Sequence, residues 1–463
     1  MSARKIGLLF LILGLGASLE TVWSVRNHLD LGPEGCRVLG GRFYGPSWSF
    51  EDELRQAVPA GARVEVQNAF GSVRVAVGPP GEVKVGLRKL VFLPTEERAR
   101  EFAGRVKARA QVDGQMVRVS TNRDEVGRED RVGLETHLDL RVPPGSAVVV
   151  RNEHGRVEVR DVARAEVVAS FEEVHVQGVA GAVKVESRHG TVNVSQVGGD
   201  LGLDARYGDV EVEGVKGRAT LEVRHGQVTV KRAGGLKLDH AYGDVNVQEI
   251  AGDLEVKAEH AGVEATGVTG DAAVETSYNG VRLAKVGGSA RVKTQHGEVK
   301  ATSIEGALTA EASFQGIEIE DVGGPLSVSV SHGGLEARGF RKGGRIKASG
   351  DDVSLDGWAG ALEVEAERAS VRLAPGGPIT ERVTVRTTHG GIHLEVPAGS
   401  RFDLEAEARR GEVRADVPGL TVTRSEARRV SGKMAGGGNA VSLTADGDVE
   451  LEPRTAQAKG GGI

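Results

Sequence analysis

Aromatic side chains are scarce in this chain: they make up 4% of 463 residues, with three Trp and four Tyr. Thick globular cores draw on such residues, because each buries a large area. Their scarcity excludes a core of that kind and favours a thin, layered structure. Cysteine occurs once, at Cys36, so no intrachain disulfide can form. Cys36 follows Pro33-Glu34-Gly35, a poor setting for a lipid anchor. Excess basic charge is also missing. The net charge is -6, and the 27% of charged residues mix both signs. That argues against nucleic acid as a partner, since its binders present a basic patch or stripe. No Gly-x-Ser-x-Gly elbow, His-Glu-x-x-His pair or phosphate-binding loop occurs.

Long apolar runs are limited to the amino terminus. Ile6 to Leu19 holds 14 uncharged residues behind Arg4-Lys5. A spanning helix needs ~20 residues. Extension through Glu20 to Val25 reaches that length, with Trp23 and Arg26 at the far interface. Residues 1–26 are expected to be a signal-anchor or transmembrane segment. A cleaved signal peptide, with Gly16-Ala17-Ser18 near the cut, is the competing reading. Either places the rest of the chain on the extracytoplasmic side, because the positive charges stay inside.

Glycine is abundant instead, at 67 residues, and it recurs in a phrase. ARYGDVEVEG begins at Ala205, VRHGQVTVKR at Val223 and HAYGDVNVQE at His240. A ring precedes the turn each time: His154, Phe171, His189, Tyr207, His225, Tyr242, His260, Tyr278, His296, Phe314, His332. The step is 18 residues, shortened to 17 at two places. After His332 the phrase weakens, with Ser349-Gly350 and Arg368-Ala369 in the slot. It returns at His389-Gly390. A fixed period of this kind belongs to solenoids, propellers or arrays.

In the unit Gly208 to His225, Val210 and Val212 share one strand face, and Ala219, Leu221 and Val223 share another. Gly214-Val215-Lys216-Gly217 breaks the alternation between them. Such a unit cannot bury its apolar side alone, but it can by stacking on a like unit at ~4.8 Å. The expected fold is therefore all-β: a parallel β-solenoid of ~18-residue two-strand repeats over residues 142–452. A propeller is the alternative, because the alternating ring makes a 36-residue double unit with four strands. An 18-residue coil would put His and Tyr in one column. A 36-residue coil would separate a His column from a Tyr/Phe column.

Ahead of the repeats, residues 27–60 read as linker, with a short helix at Ser49 to Val58. Residues 61–141 form a β region around a helix at 95–108, started by Pro94-Thr95 with Glu96 and Glu97 in its first turn. Asn122 to Asp130 reads as a charged loop. Residues 453–463 form a disordered tail.

The chain resembles a bacterial family of unknown function labelled "putative adhesin", whose members carry β-strand repeats. The resemblance rests on Val142-Pro143-Pro144-Gly145, on Arg151 to Val159 and on the Gly-Asp-Val phrases after Tyr207 and Tyr242, and covers residues 60–450. It implies a parallel β-helix on the envelope side of a membrane and supplies no catalytic residues.

Seven of the 12 histidines hold ring slots: His154, His189, His225, His260, His296, His332 and His389. Ligands to one zinc lie within ~2.1 Å of it, while rungs lie ~4.8 Å apart. Stacked rings at a bend are therefore expected, with no metal, cofactor or catalytic residue. Asp209 and Asp244 read as turn formers; a calcium turn would need a Gly-Gly-x-Gly-x-Asp signature, which is absent. The stretch Phe340 to Arg368, with Asp351-Asp352, Asp356 and Glu363, is where paired carboxylates could serve glycoside hydrolysis. The expected function is a non-enzymatic, membrane-anchored envelope solenoid with an adhesin-like surface for protein or polysaccharide. An envelope polysaccharide enzyme and an envelope-stress sensor are the alternatives.

Overall fold

The computed structural model describes residues 38–39, 42–43, 46–130 and 132–454. The apolar segment marked by Ile6, Leu19 and Val25, and the tail from 455 on, lie outside the described residues. Among the described residues, no helix is long and apolar enough to cross a membrane.

From Ala147 to Val396 the chain winds through about 14 consecutive turns of a parallel β-solenoid. One turn takes 18 residues: Leu201 pairs with Ala219, Leu203 with Leu221, and Val210 with Val228, all in parallel. The 36-residue coil and the propeller are thereby excluded. Alternation decides which side chains go in. Leu201, Leu203 and Ala205 on one strand and Val210 and Val212 on the next are buried, and Val215 joins them beyond a break in the alternation. That break is a left-handed residue, Gly214 at φ 73°, which turns two outward positions into one step so that Val215 points back inside. Non-glycine residues hold the same slot in other turns, including Gln196, Glu249, Lys285 and Ser303 at φ 56–57°. Packing of the following Val or Ile thus outweighs a left-handed strain of roughly 1–2 kcal/mol.

The interior is a thin sandwich of Val, Leu, Ile and Ala, continuous along the rod. It widens toward the carboxyl end, where Phe340 follows Val322 in register and Trp358 is buried one turn later. Some outward positions pair opposite charges from turn to turn: Lys237 meets Glu255 at 3.1 Å, Lys300 meets Glu318 at 2.8 Å and Arg345 meets Glu363 at 2.9 Å. Exposed pairs contribute little each, and like charges also stack, with Glu186, Asp204, Glu222 and Asp239 in register on successive turns.

Both ends depart from chain order. The turn Arg63–Val77 stacks on Ala147–Arg160, and the later strands Met116–Thr121 and Gly133–Val142 cover its other side. At the far end, Asn439–Ala445 and Val449–Pro453 insert between Val383–Val396 and Phe402–Ala415. Antiparallel strands then close each end. At the first, Glu82–Phe92 pairs with Gly133–Val142 and with Ser47–Ala57. The last of these is where a helix was expected. Its even-numbered residues Trp48, Phe50, Asp52 and Leu54 are the less exposed ones. That is a period of two, and a strand follows from it.

Among the described residues two short helices occur. Helix α1 (Glu96–Arg105) packs Ala99, Phe102 and Ala103 against Val91 and Leu134. Helix α2 (Arg123–Asp130) replaces the expected charged loop; the Asn122 carbonyl accepts the Val126 amide, and Asp124 and Glu125 sit in its first turn. Beneath α1, Lys89 is only 2% exposed. Its ammonium donates to the carbonyls of Ala103 and Val106 at the helix end and to Asp52 at 2.7 Å. Burial alone would raise the Asp52 carboxyl, but hydrogen bonds from Lys89 and Lys107 outweigh it and hold the group below the usual carboxylate range.

Candidate functional site: a ladder of stacked rings

The first strand of each turn ends in a bend that projects one ring. Register puts His154 opposite both Phe70 and Phe171, and His189 opposite Tyr207. The result is one column of 12 rings: Phe70, His154, Phe171, His189, Tyr207, His225, Tyr242, His260, Tyr278, His296, Phe314 and His332. Neighbouring centroids lie 4.3–5.4 Å apart, with planes within 20° of parallel. The strand spacing dictates this separation, because each ring is tied to one rung. Identical π faces stacked squarely repel through their quadrupoles. An imidazole between every two carbocyclic rings breaks that identity, which gives the His/Tyr alternation a physical reason.

The rings cover one another's faces and leave their edges to solvent. Tyr207, Tyr242 and Tyr278 are 52%, 51% and 50% exposed. His296 Nδ1 lies 3.3 Å from the Ser277 carbonyl. Among the described residues, the ring nitrogens of His189, His225 and His260 make no hydrogen bond. Backbone geometry at the bend demands glycine where it follows the ring. Gly208 has φ 141°, and a Cβ there would overlap the Gly190 carbonyl of the turn beneath.

Residues missed from sequence extend the column. Phe70 begins it; its Phe70-Gly71 pair repeats the phrase, but 84 residues separate it from His154. Arg123 closes the end, with its guanidinium 4.3 Å from the Phe70 centroid and its Nε donating to the Leu134 carbonyl at 3.1 Å. No sequence signal marks Arg123. His389 occupies the corresponding bend at φ 60°, but Glu367 pairs with Thr388, so its neighbour in the turn beneath is Arg368 and no ring stacks on it. The column ends at His332.

His240, outside the ring slots, is the inward residue of the shortened turn. It is 1% exposed, with Nδ1 3.1 Å from the Val223 carbonyl and Nε2 3.0 Å from the Gly243 carbonyl. Burial pushes its pKa below the ordinary histidine value; the two carbonyls and Asp244 oppose this without cancelling it.

Asp209 and Asp244 accept the backbone N–H groups of Gln227 and Gly262 one turn on, at 2.8 and 3.4 Å. Asp352 accepts the Ser370 amide, Asp356 faces Arg454 and Glu363 pairs with Arg345. Asp356 and Glu363 lie on different strands of the rod wall, and the register runs through both. Among the described residues, no group of three or more His, Cys, Asp or Glu could hold a metal ion. Beside the ladder runs an open groove of about 640 Å³, lined by Gln227, Thr229, Asn246, Tyr278, Asn279 and His296 among others.

No family model and no curated protein matches the chain. The resemblance to the adhesin-labelled family thus has no matching family model behind it. The chain is similar to a solved structure described as "a putative cell adhesion protein" from Clostridium sporogenes, across 88% of this chain and 100% of that one. Identity is 8% and the TM-score 0.16, and a likeness so loose does not say what this chain does.

Proposed function

We propose that this protein is a non-enzymatic, membrane-tethered β-solenoid of the cell envelope. It binds an extended partner, polysaccharide or protein, along its ring ladder. The observation that carries the reading is the ladder: half-exposed Tyr and Phe edges alternate with His nitrogens in a straight row on a rigid wall. A groove lined by amide, hydroxyl and charged side chains runs beside it. Regular steps of one kind of contact suit a polymer better than a compact ligand. Binding rather than catalysis is supported by the separate engagement of Asp352, Asp356 and Glu363. The tether rests on the apolar run ending near Val25.

The test is an array of envelope glycans and envelope-protein fragments probed with the chain from residue 46 on. The Thr229→Ala/Asn246→Ala/Asn279→Ala variant is run beside it. These side chains lie along the groove, so the fold is retained. Binding that the triple substitution weakens tenfold or more is expected. Binding unaffected by it would move the contact surface off the ladder, and no binding across the array would remove the reading. Fractionation of expressing cells, with amino-terminal sequencing of the membrane fraction, tests the tether.

A further inference from the structure

Outside the ladder, the exposed large aliphatic side chains among the described residues are Val77, Val112 and Val422, at 37%, 42% and 44%. An exposed valine is ordinary by itself. Val112 and Val422 stand out by their place. Val112 lies on Ala108–Asp113, the last strand of the ring-bearing wall at the amino-terminal end. Val422 lies on Leu420–Glu426, the last strand of the same wall at the other end. Both point into the line of the core. Val112 lies opposite the buried Val117, and cross-strand partners share a face. Val422 shares its face with Leu420, which lies opposite the buried Met434.

The remaining core residues at the ends follow suit. The aliphatic side chains that pack on the long core while only partly buried are Leu54, Ala108 and Ala110 at the first end and Val413, Ala415 and Leu420 at the second. The antiparallel strands thus close each end incompletely. They also leave free edges. Among the described residues, Ala108–Asp113 pairs only with Met116–Thr121, and Leu420–Glu426 only with Arg429–Met434. On the opposite wall, Ser47–Ala57 pairs only with Glu82–Phe92, and Val413–Ala415 only with Val449–Pro453. None of these edge strands contains proline, and an unpaired edge that offers an apolar residue is a template for another strand.

We propose that the rods associate end to end, with the carboxyl end of one copy seated on the amino end of the next. A second copy fits because the two ends are cross-sections of one sandwich, so each free edge meets an edge of its own wall. Strand direction fits as well. Leu420–Glu426 runs with the rung strands of its wall, whereas Ala108–Asp113 runs against them. Rods stacked head to tail therefore bring the two together antiparallel. With Val422 opposite Val112, Thr421–Glu426 overlaps all six residues of Ala108–Asp113. Thr421 then meets Asp113, Arg424 meets Ala110 and Ser425 meets Arg109, so no like charges face each other. Such a contact uses a different patch on each copy, and it repeats into a filament unless its rotation closes a ring.

The experiments use the full chain in a mild detergent. Sedimentation velocity at rising concentration should show the parent assembling. Val112→Lys blocks one end and Val422→Lys the other, so each variant alone should be monomeric. Mixed, they retain one intact end apiece and should form a dimer and nothing larger. Both valines are exposed, and far-ultraviolet circular dichroism matching the parent identifies folded variants. In a Cys36→Ser background, oxidation of Val112→Cys mixed with Val422→Cys should yield the 112–422 disulfide peptide in excess over 112–112 and 422–422. A parent that stays monomeric up to about 0.1 mM would overturn the proposal. So would lysine variants that still assemble singly, or disulfides formed mainly between like positions, which mark a two-fold dimer instead. The joint lies at the ends and the ladder along the side, so failure of ladder binding leaves it standing, and the reverse also holds.

Discussion

Removal of one ring from the ladder should cost more than its exposure suggests. Tyr207 lies 5.1 Å from His189 and 4.9 Å from His225, with planes 9° and 3° from parallel. Tyr207→Ala deletes both stacks, each worth about 0.5–1.5 kcal/mol. It also returns the covered half of the ring to water. Half of a Tyr side chain is about 75–125 Å², or roughly 2–3 kcal/mol at 25 cal/mol per Å². The stacking figure comes on top of area burial, so the two add to about 3–6 kcal/mol in total. The neighbours cannot close the gap, because strand pairing holds their rungs. A double-mutant cycle with His225→Ala should return a coupling of about 0.5–1.5 kcal/mol. Glu211→Ala, exposed on the next strand, is the control and should stay within about 0.5 kcal/mol of the parent. Solenoids open locally, and a global melt can miss the change. Amide hydrogen exchange over residues 201–230 is therefore read beside urea denaturation. Unchanged exchange and midpoint in Tyr207→Ala, or zero coupling to His225, would refute the idea that the rings support one another.

Other outcomes follow from the same geometry. Gly208→Ala should destabilise severely or abolish soluble expression, because its Cβ would meet the Gly190 carbonyl at a φ that only glycine tolerates. Gly202→Ala, with nothing within 4 Å of a new Cβ, should be neutral or slightly stabilising in the same denaturation assay. Burial lowers the His240 pKa in the folded protein, so the unfolded chain takes up its proton first as pH falls through about 6.5. Stability should therefore drop from pH 7.5 to 5.5 more steeply in the parent than in His240→Gln, and equal slopes would count against a depressed pKa. Deletion of residues 439–454 strips the inserted turn and leaves Phe402–Ala408 without its parallel neighbour. Limited proteolysis should then cut beyond residue 397 while the turns before it resist, and an unaltered cleavage pattern would contradict the insertion.

The repeat could be seen in the chain because alternation and stacking are local rules. Val210, Val212, Ala219 and Leu221 declare their faces two residues at a time. The rings at Tyr207 and His225 declare the period by recurring. Ser49 to Val58 was harder, since its charges at Glu51, Asp52, Glu53 and Arg55 suit a helix surface as well as a solvated strand edge. Only the antiparallel partner Glu82–Phe92 decides it. The closed ends were out of reach for a different reason. Arg123 meets Phe70, and the Ser72 amide meets His137, across separations that carry no periodic signal.

By itself the sequence determined a stack of 18-residue, two-strand repeats with aliphatic residues inside and a ring at a bend of each, because those features follow from strand alternation and a constant period. The tertiary structure decided whether a turn takes one repeat or two, and so whether His stacks on Tyr or on His. It also decided which turn neighbours which at the ends, where the chain steps back over itself so that Arg63–Val77 and Asn439–Pro453 lie one rung in from the caps. Strand edges pair by shape and hydrogen bonding, and position in the chain does not constrain them once a loop is long enough to return.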